Sequence, residues 1–147
     1  MRAMVLTQQK RVEELPLTLQ EIDAPRAGAS EVRVKVSVCG VCRTDLHIIE
    51  GDLSPHKMPV IPGHQIVGRV DETGNDVMRQ RVGRRIGIAW LQHVDGTCQF
   101  CRRGRENLCR DSRYTGYDVD GVFPASCSKN QTHRMRVGCH KDRFRKR

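Results

Sequence analysis

Cys39-Gly40-Val41-Cys42-Arg43-Thr44-Asp45-Leu46-His47, followed about twenty residues on by Pro62-Gly63-His64-Gln65, is the stretch that decides how this chain reads. Thiolate, imidazole and carboxylate are the side chains that hold zinc, and a Cys-x-x-Cys pair sets two of them on one tight turn. About sixty residues later the donors recur: Asp95-Gly96-Thr97-Cys98-Gln99-Phe100-Cys101, closing at Gly104-Arg105-Glu106-Asn107-Leu108-Cys109. The later cluster reads as closed and structural, the earlier one as open and chemical.

Outward from these clusters the chain is β-rich. Residues 31–38 alternate, with Val32, Val34, Val36 and Val38 on one face and Glu31, Arg33, Lys35 and Ser37 on the other. Strands are also expected at residues 1–6, 15–22, 65–70 and 84–89, the last two bounded by glycine. Residues 45–50 suit a short helix ended by Gly51, and residues 53–63, with Pro55, Pro59 and Pro62, form a loop. Residues 98–110 make a Cys-punctuated lobe with a helical turn at Glu106–Leu108. Many short strands with turns between them predict a small barrel or sandwich carrying excursions.

Composition narrows the setting. The 147 residues suit one domain. No apolar run is long enough for a membrane span, and the N-terminal apolar stretch is too short for a signal peptide. Seven cysteines, an odd number set among His and acids, fit reduced metal-binding thiols and a cytoplasmic location rather than a disulfide framework. The net charge of +9 is uneven: residues 121–147 hold eight Lys and Arg against one Asp, while the rest is near neutral. After Gly121 neither helical nor strand period is visible, so 122–147 is expected to be a disordered basic tail, with 1–121 the folded domain.

Taken in order and spacing, Glu31-Val32-Arg33-Val34-Lys35-Val36, the Cys39–His47 run, Pro62-Gly63-His64 and the Cys98–Cys109 lobe resemble the zinc-dependent alcohol dehydrogenases of the medium-chain dehydrogenase/reductase superfamily. The resemblance covers roughly residues 1–120, the N-terminal GroES-like catalytic domain. It implies a mainly β fold: a GroES-like, partly closed β-barrel with short helices and a zinc-lobe excursion. It also implies that Cys42 and His64 ligate a catalytic zinc whose third ligand, supplied further along the chain in the family, is expected to be missing here. Thr44 and His47 would relay the alcohol proton, Asp45 would orient the His ligand, and Arg43 would contact cofactor phosphate. Hydride would pass to NAD or NADP on a Rossmann domain, oxidising a small-molecule alcohol to an aldehyde or ketone.

Three departures qualify the resemblance. Gln65 stands where the family has Glu beside the ligand His. Asp95 stands where the structural lobe has its first Cys; a carboxylate oxygen can serve zinc beside Cys98, Cys101 and Cys109, with His93 a fallback donor. No G-x-G-x-x-G follows a strand, and the change of texture after residue 121 reads as a shifted frame or shortened gene. On that reading the isolated chain is inactive, and an open barrel edge invites homo-oligomers or aggregation.

Plainer roles stand beside these. Cys39 ends a strand and suits core packing; His64 could be a turn histidine, and the lobe cysteines could be free thiols. The alternative function, a zinc-stapled module whose basic arm binds nucleic acid, is disfavoured because the body offers no Lys/Arg face interleaved with aromatics.

Overall fold

A computed structural model describes residues 1–123 and 132–136 of the chain. The strands are β1 (Arg2–Leu6), β2 (Leu17–Glu21), β3 (Glu31–Gly40), β4 (Gln65–Thr73), β5 (Arg85–Ile88), β6 (Leu91–His93), β7 (Arg113–Tyr114) and β8 (Thr132–Arg136), with helices α1 (Arg43–Glu50) and α2 (Gln99–Arg102). They form three sheets among the described residues: β1-β2, a four-stranded β5-β4-β3-β8, and β6-β7. None of the three closes on itself. No helix among the described residues is long and apolar enough to cross a membrane.

The alternating valines of β3 explain the central sheet. Val32, Val34 and Val36 are buried with Ile66, Val70, Ile88 and Val122, each such side chain contributing about 1.5–3 kcal/mol of transfer free energy. The expected fourth member is not there: Val38 is 54% exposed. The β3/β4 register shifts between Val36 and Val38, and an extra residue in one strand turns every following side chain to the other face.

One strand lies within the span expected to be tail. Thr132–Arg136 pairs antiparallel with Glu31–Lys35 along the edge of β3. A polar edge strand is specified by main-chain pairing, not by alternating apolar side chains, so no period advertised it. Val122 and Phe123, also placed in that span, pack against the cores, and the rest of the expectation falls outside the described residues.

The first hairpin steadies the site from below. Leu6, fully buried, exchanges backbone hydrogen bonds with Val60 (2.8 and 3.0 Å), and packs with Ile48 and Ile49 of α1 and with Tyr117. This anchors both the proline-rich loop and the helix that carry the first ligand cluster. α1 begins two residues before the expected position, at the Cys42 N-cap, and ends at Gly51 (φ 97°), whose N–H donates to the His47 carbonyl. Glycine reaches that left-handed C-cap conformation without steric cost.

Candidate metal centres

Two donor clusters occur among the described residues: Cys42 with Asp45 and His64, and Asp95 with Cys98, Cys101 and Cys109. Within each, the donor atoms lie within 4.8 Å of one another.

The first is assembled by a buried carboxylate. Cys42 sits at the N-terminus of α1, and Asp45, one turn on, reaches back so that its Oδ2 accepts the Cys42 N–H (2.9 Å). Its other oxygen accepts the Gly63 N–H (3.1 Å) and lies 3.1 Å from His64 Nδ1. Asp45 is fully buried, so it ties the helix start to a turn 18 residues away. The turn requires glycine: Gly63 has φ 98°, and a Cβ there would lie 2.4 Å from the Val122 carbonyl oxygen.

His64 Nε2 then faces Cys42 Sγ at 3.1 Å. A tetrahedral zinc would hold such a pair about 3.6 Å apart, so a small opening of this contact seats an ion. Both oxygens of Asp45 accept backbone amides.

Electrostatics separate the two cysteines of the Cys-x-x-Cys pair. At Cys39 burial, reinforced by the Asp45 charge, pushes the thiol up to about 11, against one hydrogen bond from the Gln65 backbone. Burial also works against the Cys42 thiolate. There the Thr44 hydroxyl and amide, the Asp45 amide and the His64 charge outweigh it, and the thiol ends below its ordinary value. Asp45 raises His64 above the usual imidazole value, against burial and with help from Cys42. Of the pair, Cys42 has the more acidic thiol and faces His64, while Cys39 packs against the valine core.

The other expected site residues lie around this centre. Thr44, two residues after Cys42 in α1, helps to lower its thiol. His47 is half-buried on the same helix and hydrogen-bonds Asp52 through Nδ1 at 2.6 Å. Arg43 is exposed in the first turn of α1. Gln65 begins β4 opposite Gly40, exposed, with its side chain over that glycine.

Two neighbours escaped the sequence reading. Asp52 stands five residues after His47, just beyond the Gly51 cap, a position that folds back onto the last helical turn. Trp90 meets the His64 ring edge-on at 4.9 Å and stacks on Tyr114 at 4.9 Å. The only hint of it was its being the sole tryptophan of the chain.

The second cluster is local. Gly96 turns with φ 70°, Cys98 caps α2 by accepting the Cys101 N–H (3.5 Å), and Cys109, buried, accepts the Asp95 N–H (3.5 Å). His93 is outside the donor cluster. The Cys98 and Thr97 amides hold the Asp95 carboxyl below the usual carboxylate range. Burial, then the crowding Cys98, Asp95 and Cys109, push the Cys101 thiol up to about 12. Anionic donors packed this closely disfavour one another's charged forms, a condition that a cation among them relieves.

A family model for the alcohol dehydrogenase GroES-like domain matches residues 28–137. The chain belongs to that family. The matched span runs through β8, beyond the boundary at 121 expected from texture. This GroES-like chain is 53% identical over 113 residues to "Probable alcohol dehydrogenase AdhA" of Mycobacterium tuberculosis, covering 74% of the chain and 33% of that protein. It is 42% identical over 129 residues to an alcohol dehydrogenase of Geobacillus stearothermophilus, covering 86% of the chain and 37% of that protein. Among solved structures, a cobalt- and zinc-bound thermostable alcohol dehydrogenase from Pyrobaculum aerophilum superposes with a TM-score of 0.75 at 27% identity, over 83% of this chain and 36% of that one. The chain thus spans about a third of the length of the curated relatives it matches, and it is a mainly β, GroES-like alcohol dehydrogenase domain.

Proposed function

We propose that this GroES-like domain supplies the zinc-binding half of an alcohol dehydrogenase that oxidises a small-molecule alcohol with NAD or NADP in a reducing cytoplasm. The approach of Cys42 Sγ to His64 Nε2 at 3.1 Å, backed by Asp45, carries the reading. Cys42 and His64 would hold a catalytic zinc, and Asp95, Cys98, Cys101 and Cys109 a structural one; zinc and cobalt in the Pyrobaculum relative support this choice. A zinc at the first site supplies a Lewis acid for the alcohol oxygen.

The chain's own residues do the rest. Asp45 fixes the tilt of the His64 ring and the start of α1, so both donors point one way without rearrangement. The Thr44 hydroxyl, next to the Cys42 thiol, can take the alcohol proton and release its own. His47, three residues further along α1, receives it. Asp52 holds His47 by Nδ1, leaving Nε2 as the ring's free acceptor. Arg43, exposed beside them, is placed for a cofactor phosphate. Trp90 covers one side of His64 and keeps water from its face.

Elemental analysis after zinc loading tests the reading. Cys42→Ser and His64→Ala should each lose one zinc per chain and leave the other bound. A chain that takes up no zinc at all, or variants that lose none, would overturn it.

A further inference from the structure

Asp95 does something in the lobe that the thiol it replaces does less well. Its Oδ1 accepts two backbone amides, from Thr97 at 2.7 Å and Cys98 at 2.9 Å. Around the same knuckle, the sulfur atoms of Cys98 and Cys109 accept amides from Cys101 and Asp95 only at 3.5 Å. Three of the contacts form a chain: the Asp95 amide points to Cys109, the Cys98 amide to Asp95, and the Cys101 amide to Cys98. Asp95, Cys98 and Cys109 each accept a backbone amide from another residue of the cluster, and the shortest bonds converge on the carboxylate.

Chemistry explains the difference in strength. A carboxylate accepting backbone N–H groups forms charge-assisted bonds, shorter and about twice as strong as neutral ones, while sulfur is a weak acceptor. Gly96, at φ 70° with nothing within 4 Å of a Cβ there, lets the chain double back so that both amides reach one oxygen.

We propose that Asp95 is a positioning residue that pre-forms the Cys98–Cys101 knuckle before any metal arrives, in addition to the ligand role assigned above. This rests on the metal reading of the lobe only for its consequence, since the turn is closed by hydrogen bonds in which no metal takes part. On this view the carboxylate trades a soft donor for a pre-organised loop: the thiols wait near their ligating geometry, and uptake of the ion requires little ordering of the chain.

The test separates positioning from ligation with two substitutions in the full chain. Asp95→Asn keeps a carbonyl oxygen in the place of Oδ1 but removes the anionic ligand; Asp95→Ala removes both. In the chelator-treated chain, amide hydrogen exchange at Thr97 and Cys98 should be slow in the unaltered protein and slowed nearly as well in Asp95→Asn. In Asp95→Ala it should be about five- to tenfold faster, the size of a lost hydrogen bond. Zinc affinity, read by competition with a chromophoric chelator, should fall in Asp95→Asn and further in Asp95→Ala. Unprotected Thr97 and Cys98 amides in the unaltered metal-free chain would overturn the proposal, as would equal exchange or equal zinc loss in the two variants. Failure of the lobe to bind zinc would instead remove the metal reading, and the exchange data would still judge the turn.

Discussion

The two donor clusters reach the same chemistry by opposite routes. The Cys42–His64 centre draws its donors from segments 22 residues apart, and a fully buried aspartate joins them. The Asp95–Cys109 lobe takes all four donors from one loop, with Cys109 alone among them buried. Distant donors need a folded core to meet, whereas local ones need only a turn. One centre therefore depends on the stability of the whole domain, and the other on a few backbone hydrogen bonds.

The largest effect should come from breaking the joint in the first centre. Asp45→Ala strands the Cys42 and Gly63 amides in a buried setting, and should cost about 3 kcal/mol in chemical denaturation. Zinc binding at Cys42–His64 should weaken about 10- to 100-fold while the lobe retains its ion. Simultaneous loss of both ions would show that the two centres are not independent.

A smaller, pH-dependent effect should mark the same centre in the metal-free chain. Asp45 raises the His64 value in the folded state, whereas the unfolded imidazole titrates near about 6.5. The stability this contact adds is thus complete below about pH 6.5 and drains away as pH rises through the higher folded value. Denaturation series across that interval should show the unaltered chain losing its advantage over His64→Gln. An advantage that grows with pH would contradict the assignment.

The weakest effect belongs at the surface. Asp52 is 62% exposed beside His47, so Asp52→Ala should change stability by under about 0.5 kcal/mol. A stability loss as large as that of Asp45→Ala would place Asp52 among the structural groups instead.

Much of this was legible from residue order. The β3 alternation, the capped helix after Cys42, the proline-rich loop and both ligand clusters follow from periodicity, turn residues and donor spacing, and the GroES-like resemblance agrees with the family match. Three things were not legible. Val38 turns outward because a register shift between strands leaves no mark in a one-strand pattern. Thr132–Arg136 joins β3 through backbone groups common to every residue. Asp52 and Trp90 reach the site through a cap and a ring contact that spacing alone does not encode.

Residue types and local spacing by themselves settled which atoms could bind an ion and that the chain is mainly β, because these depend on chemistry within a turn or a strand. Only the folded molecule decided that the Cys42 thiol is more acidic than that of Cys39 and that it meets His64. Thiol acidity depends on burial and neighbouring charge, and two segments 22 residues apart in sequence are brought to 3.1 Å only by the packing between them.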